Sequence, residues 1–357
     1  MALVEELAAG HEIHVFAQEI EHSWPNVTYH KVSRPFIRPR WLNQLWYAFI
    51  TWAHTRTGFN IVHSHENVWH GNVQTMHVKT TRRSRFGDQK GLALALRLVG
   101  TAFSPRLLTY LLLERARVTS SAGRVVVAVS ESLREELAAE YPRSREMLHV
   151  ISPGVYLPSY TTSKVHARVA LGLERDGSLL LFVARDYYRK GLNTLLLALR
   201  NTPPQVRLLV VGNTDQIPHF RNEAETLGIS SRVHFLGALA NAAMAYHAAD
   251  VLVHPTLEDS FGMVVLEAMA FRLPAIVSDR NYCGASAILT DHVNALLLTD
   301  PQNVTTLRDS IMSVLNSPEL SHRLRENGFR LAQEHSWQAT AVAYDALYKQ
   351  IFQSQCT

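Results

Sequence analysis

The residues best suited to chemistry lie in HPTLEDSFGMVVLEAMA at 254–270, where Glu258 and Asp259 open a turn and Glu267 follows eight positions after Asp259. AADVLV before it (248–253) reads as a strand, and the apolar run after it reads as a helix starting near Phe261. A helix start leaves backbone N–H groups without partners, so Phe261, Gly262 and Met263 would offer amides to an anion. At about 3.6 residues per turn, the eight-residue spacing brings Asp259 and Glu267 to similar azimuths. Amides for phosphate and carboxylates for hydroxyls together suit a phosphorylated, polyhydroxylated ligand. An Asp N-cap followed by an exposed helix Glu would give the same pattern, and this segment alone leaves both readings open.

A second run, VARDYYRKGLNTLLLAL (183–199), ends a predicted strand at Arg185 and places Lys190 just before Gly191 and an apolar-periodic helix. Two cations at the C-terminal edge of a parallel sheet suit a diphosphate. Surface cations without a role are commoner in general, and the coincidence with 254–270 is what favours function here. His63, His65 and His70 gather beside Glu66. His63 and His65 share one face of a strand, a fourth ligand is undefined and no Asp-x-Asp occurs, so no metal site is expected.

These residues need a scaffold, and 357 residues with 47% hydrophobic and 18% charged side chains provide for two packed domains rather than a disordered chain. Lys and Arg number 35 against 31 Asp and Glu, an excess too small to point to nucleic acid. Cys283 and Cys356, the only cysteines, form neither a disulfide framework nor a metal spacing, which suits the cytoplasm. MALVEELAAG has no basic, long apolar leader, and the most apolar region, 91–113, is interrupted by Arg97, Pro105 and Arg106.

Strand-like runs at 11–17, 27–32, 59–65, 74–79, 125–130 and 149–154 alternate with helical stretches near 41–56, 92–121 and 131–141. After SPGVYLPSYTTSK (152–164), with the composition of a linker, the rhythm restarts with strands at 178–186, 206–212, 233–237, 251–256, 274–278 and 294–298. The fold class expected is α/β, two doubly wound Rossmann-like domains facing a cleft. Residues 1–154 form the first domain, 155–336 the second, and 337–357 a terminal helix returning to the first. Met1–Ala9 reads as the end of a helix stopped by Gly10, so the first domain is expected to lack its opening strand and glycine-rich loop.

Together ISPGVY (151–156), VARDYYRKG (183–191), VVGN (210–213), RVHFLG (232–237), AADVLVHPTLEDSFGMVVLEAMA (248–270) and HSWQATAVAYDALY (335–348) resemble the family 4 retaining glycosyltransferases of GT-B fold. The resemblance implies that Arg185 and Lys190 hold the nucleotide diphosphate and Glu267 the ribose. It further implies that Asp259 and the Phe261, Gly262 and Met263 amides hold the donor sugar, and that His77 stands beside that sugar. A strand histidine buried with a hydrogen bond is the alternative for His77. Asp259 stands where the family usually has Glu, one methylene longer, and Glu258 could compensate. SPGVY and the run 213–237 look most like lipopolysaccharide core glucosyltransferases, implying UDP-glucose as donor, a lipid-linked saccharide acceptor, retention, and neither cofactor nor metal.

RPFIRPRWLNQLWYAF (34–49) interleaves cations with aromatics and KTTRRSRFGDQK (79–90) adds a cluster of cations, so an anionic membrane surface is an expected partner and the cytoplasmic face of the membrane the expected location. Two other readings compete: a non-catalytic or truncated GT-B protein, and a pyridoxal-phosphate glycan phosphorylase.

Overall fold

The computed structural model describes residues 2–21, 23–87, 89–119 and 123–356. The chain divides into two compact units, Met1–Ser152 with Trp337–Thr357, and Pro153–Ser336. In the first unit the strands are β1 (Ile13–Ala17), β2 (Val27–Lys31), β3 (His63–Ser64), β4 (Val73–Met76), β5 (Val125–Ala128) and β6 (Leu148–Val150). Its helices are α1 (Ala2–Leu7), α2 (Arg40–Thr55), α3 (Thr81–Phe86), α4 (Gly91–Ala102), α5 (Pro105–Arg117) and α6 (Glu131–Glu140). The second unit holds helices α7 (Lys164–Ala170), α8 (Leu192–Arg200), α9 (Ile217–Thr226), α10 (Ala243–Ala248), α11 (Met263–Ala270), α12 (Val304–Asn316) and α13 (Pro318–Glu334). Helix α14 (Trp337–Cys356) belongs again to the first.

In the second unit, β7 (Ser178–Ala184), β8 (Val206–Gly212), β9 (Val233–Gly237), β10 (Val251–His254), β11 (Ala275–Ser278) and β12 (Leu296–Leu298) form one sheet in the order β12-β11-β10-β7-β8-β9. All its pairings are parallel. The chain builds outward from β7 through β8 to β9, then returns to the other side of β7 with β10. The β7/β10 junction is therefore the topological switch point, where loops at the strand ends diverge and leave room for a ligand. Leu180, Phe182, Leu208 and Val210 are fully buried in this sheet, beside Leu192, Leu195, Leu196 and Leu199 of α8. That i, i+3, i+4, i+7 stripe is the reason LNTLLLALR forms a packed helix, and each buried Leu contributes roughly 1.5–3 kcal/mol.

The first unit departs from one continuous sheet. β1 and β2 pair in parallel by themselves, and β3-β4-β5-β6 form a second parallel sheet. The strand expected over 59–65 shrinks to His63–Ser64. The side chain of Asn72 takes the Val62 amide at 2.8 Å and the Val62 carbonyl is drawn to the amides of Asn72 and Val73, which replaces ladder bonding. The single helix expected over 92–121 is two helices meeting at 97°. Ser104 caps Leu107 and Pro105 occupies the first helical position, so a new helix starts there. Helix α14 buries Ala341, Tyr344, Leu347 and Ile351 against Leu3 and Leu7 of α1 and Val73 and Val127 of the sheet.

Candidate functional site

Arg185 follows the last residue of β7, and the 254–262 turn leaves β10, so both predicted motifs emerge at the switch point. Lys190 reaches across from the first motif to the second. Its Nζ donates to the Asp259 carboxylate at 2.6 Å and to the Glu258 carbonyl at 2.8 Å. An ammonium carries three N–H donors, so one is left for a ligand. Arg185 is exposed and makes no hydrogen bond or ion pair among the described residues.

The geometry of this crossing depends on Gly191. It adopts φ +80°, and a Cβ there would lie 2.1 Å from the Pro255 carbonyl oxygen. No side chain fits, because the backbone of one motif lies against the backbone of the other. The turn itself is tied internally. The buried Thr256 hydroxyl donates to the Glu258 carbonyl at 3.0 Å, and Ser278 Oγ donates to the Thr256 carbonyl at 2.7 Å.

Asp259 differs from its expected role. Its Oδ2 accepts from Lys190 and from His254 Nε2 at 3.2 Å, and its Oδ1 accepts from the Phe261 amide at 3.3 Å. Burial alone would raise its carboxyl, but the His254 hydrogen bond and the Lys190 charge outweigh that and hold it well below the usual carboxylate range. His254 is buried, and desolvation lowers its pKa, so the ring is a neutral donor to Asp259. Asp259 thus acts first as the anchor that aims Lys190.

The expected amides shift by one residue. Phe261 is buried with its N–H on Asp259 and its carbonyl taken by Ala285 N at 2.6 Å and Cys283 Sγ at 3.2 Å, so it offers nothing to a ligand. Helix α11 starts at Met263 with Gly262 as a left-handed N-cap, and a Cβ on Gly262 would lie 2.8 Å from Cys283 Sγ. Among the described residues the amides of Gly262, Met263 and Val264 donate to no other group, and they remain open at the helix's positive end. Burial pushes the Cys283 thiol up to about 12, with the Asp259 charge adding to it, so Cys283 packs as an inert group. One helical turn beyond, the half-buried Glu267 carboxylate accepts a hydrogen bond from Tyr246 of α10. Burial and the Glu267 charge raise the Tyr246 hydroxyl well above its ordinary range, fixing it as a donor.

Sequence reading missed His254, Tyr246 and Gly191 as parts of this set. His254 and Gly191 stand inside the motifs and could have been found by asking what an Asp beside a strand-end His would do. Tyr246 is 21 positions from Glu267, with no local signal.

In the first unit His77 lies just past β4 and is exposed rather than buried. Its Nε2 pairs with His65 Nδ1 at 2.8 Å. His63, its ring centroid 4.4 Å from that of His65, bonds Tyr348 at 2.6 Å and Thr75 at 2.7 Å, and Thr75 in turn bonds Tyr344 at 2.9 Å. Desolvation and then neighbouring charge lower the pKa values of His63, His65 and His77, so the cluster is neutral at pH 7. No group of three or more His, Cys, Asp or Glu among the described residues is arranged to hold a metal ion.

Residues 165–331 match the family Glycosyl transferases group 1, and residues 1–157 match Glycosyltransferase Family 4. A D-inositol 3-phosphate glycosyltransferase from Xylanimonas cellulosilytica is 29% identical over 64% of this chain and 58% of its own length. The lipopolysaccharide glucosyltransferase WaaG of Escherichia coli is 26% identical over 61% of this chain and 60% of its own. The chain thus matches about three-fifths of the length of these curated relatives. A crystal structure of WaaG shares the fold, with TM-score 0.77 at 21% identity over 97% of this chain and 94% of that one. Anabaena HepE, solved with UDP and glucose, gives TM-score 0.65 at 19% identity over 91% and 86%.

Proposed function

We propose that this chain, which carries a family 4 and a group 1 glycosyltransferase domain in a GT-B fold, transfers a hexose from a nucleoside diphosphate sugar, UDP-glucose as first choice, to a lipid-linked saccharide such as a lipopolysaccharide core. The observation that carries the reading is the Lys190–Asp259–His254 set at the switch point, with open helix amides beside it. As the diphosphate leaves, negative charge grows on it while the anomeric carbon gains oxocarbenium character. Lys190 with its spare N–H, Arg185 and the α11 amides neutralise that charge without a metal. Glu267, oriented by Tyr246, takes the ribose hydroxyls, and Glu258 with the turn amides takes the sugar. His77 faces the acceptor side, and transfer retains the anomeric configuration.

A second acceptor, D-inositol 3-phosphate, is favoured by the likeness to the Xylanimonas enzyme. Both acceptors are assayed by UDP release with the same preparation. Donor binding is tested by calorimetry on wild type, Lys190→Ala and Glu267→Ala. Each charge-assisted contact is worth roughly 1.5–3 kcal/mol, so affinity for UDP falls about ten- to a hundredfold in each variant. Equal affinity in all three would remove the donor site from this place.

A further inference from the structure

A pocket of the first unit lies apart from the proposed transfer site. It holds about 260 Å³ and opens between the end of α2, at Trp52, Thr55 and Arg56, and the residues that lead into β3, β4 and β5. Those residues are Val62, Asn72 and Arg124, so the pocket sits at the N-terminal edge of the parallel sheet. His65 and His77 follow the opposite ends of β3 and β4. The extended chain from Asn72 to His77 spans about 16 Å, which sets the pocket well away from the edge assigned to the acceptor.

Its charge is one-sided. Arg56 and Arg124 line it, and no Asp or Glu does. Arg56 is exposed, stands 5.6 Å from the Trp52 ring centroid, and its side chain makes no hydrogen bond or ion pair among the described residues. Arg124 is half-buried and donates only to carbonyls, those of Ala116 at 2.7 Å, Trp69 at 2.8 Å and Gly71 at 3.3 Å. Desolvation lowers its pKa, and no carboxylate offsets the shift. A guanidinium has five N–H donors, so two on Arg124 and all of those on Arg56 stay uncommitted. The Asn72 side-chain carbonyl accepts from the Val62 amide at 2.8 Å, which leaves its NH2 group to donate. Burial and then the Arg124 charge bring His70 down to about 4, so its ring is neutral at pH 7, and its Nδ1 is buried without a partner among the described residues. A partly desolvated cation lacking a counter-charge costs stability, and a bound anion removes that cost.

We propose that this pocket binds the phosphate of a small phosphomonoester, a sugar phosphate in size, between Arg56, Arg124 and the Asn72 amide. Guanidinium groups match the oxygens of a phosphate, and nothing acidic in the lining repels them. The volume falls just below the roughly 300–1,000 Å³ of sites for drug-sized ligands, which suits one phosphorylated sugar rather than a nucleoside diphosphate sugar. The inference goes beyond the transferase reading and needs neither donor nor acceptor.

The test follows tryptophan fluorescence of the full chain, since Trp52 lines the pocket and every tryptophan lies in the first unit. Inorganic phosphate and glucose 6-phosphate are titrated against sodium chloride at equal ionic strength, for wild type, Arg56→Gln, Asn72→Asp and Lys190→Ala. In wild type both phosphates give a saturable change in emission, and chloride gives none. At about a hundredfold excess over Kd they raise the melting temperature of the first unit by about 5 °C or more. Arg56→Gln weakens binding about tenfold. Asn72→Asp still accepts from the Val62 amide but sets a carboxylate among the cations, and it abolishes binding. Lys190→Ala binds as wild type does. Arg56 is exposed, so Arg56→Gln keeps its circular dichroism and its affinity for UDP, and it decides should Asn72→Asp misfold. No saturable change in wild type, a change shared by chloride, or equal affinity in Arg56→Gln overturns the proposal. So does phosphate binding that Lys190→Ala removes, which would place the anion in the second unit. Binding of inorganic phosphate without glucose 6-phosphate overturns the phosphomonoester.

Discussion

The two units solve opposite electrostatic problems. At the switch point of the second unit, a cation and an anion pair, with a neutral histidine donating to the anion, inside a turn stitched by backbone and hydroxyl bonds. Beside β4 of the first unit, three histidines avoid charge altogether and lean on two tyrosines from α14. A group that must meet a diphosphate is best kept charged and aimed before the ligand arrives, which needs a rigid frame. Neutral rings need only desolvation and hydrogen bonds, and residues far apart in sequence can supply these. The comparison predicts that the second site is sensitive to backbone geometry and the first to acid.

The largest effect is expected from Gly191→Ala. A Cβ 2.1 Å from the Pro255 oxygen at φ +80° cannot be relieved by rotating a side chain, so the two motifs must part. The substitution destabilises the second unit by about 3 kcal/mol or more and abolishes UDP binding. All six tryptophans, 24, 41, 46, 52, 69 and 337, lie in the first unit, so fluorescence melting reports that unit alone and stays near wild type. A variant that still binds UDP normally would break the claim that a rigid crossing aims Lys190.

Next comes Asp259→Asn, which separates an anchor from a sugar ligand. Removing the carboxylate leaves the largely buried Lys190 ammonium with only the Glu258 carbonyl and the uncharged amide. If Asp259 aims Lys190, affinity for UDP without any sugar falls about tenfold, roughly 1.4 kcal/mol. If Asp259 serves the sugar alone, calorimetry with UDP is unchanged and only UDP-glucose binding weakens.

The same contrast explains what could be read from the chain. Motif residues of the second unit lie within short runs whose local geometry carries the site: a strand end, a glycine that only a left-handed turn accepts, a helix start. There Arg185, Lys190 and the 258–263 turn were legible, and the Gly-Pro-Ser-Thr-rich 152–164 falls where the chain passes between units. The exact helix start was not, because Asp259 takes the Phe261 amide in a turn two residues on and the N-cap position falls to the left-handed Gly262 instead. His63 and Tyr348 are 285 positions apart, and no periodicity announces such a pair. The break between α4 and α5 rests on the Ser104-Pro105 pair inside a run whose apolar periodicity reads as one helix.

Acid should cost the first unit more, through His63, His65, His70 and His77, while His254, whose pKa burial also lowers, gives the second unit a smaller share of the same loss. Desolvation holds His63 well below 6.5, and desolvation with the Arg124 charge brings His70 down to about 4. For groups with depressed folded pKa values the unfolded chain binds protons more tightly, so stability is fully present above about pH 6.5 and is lost as pH falls toward 4. Allowing for partial exposure, about 1 kcal/mol per histidine is lost by pH 5. The Asp259 contribution, a depressed carboxylate, persists until pH falls below its unfolded value of about 3.9. Tryptophan-detected melting from pH 7.5 to 5 should drop steadily, and a flat profile would remove the histidine cluster as a stability element.

The smallest change tests how Glu267 is held. Tyr246 stacks on Phe271 with centroids 5.2 Å apart and planes 14° off parallel, so Tyr246→Phe keeps the packing and deletes only the hydroxyl that donates to Glu267. The carboxylate is half-buried and can hydrate, so the fold loses little, within about 1 kcal/mol. What it loses is orientation: a carboxylate free to rotate meets ribose hydroxyls in several poses. The KM for the donor should rise about two- to tenfold, equivalent to one neutral hydrogen bond of 0.5–1.5 kcal/mol, with kcat unchanged because ribose contacts are alike in ground and transition states. A fall in kcat at constant KM would place Glu267 at the reacting sugar instead and shift the donor by one subsite along α11.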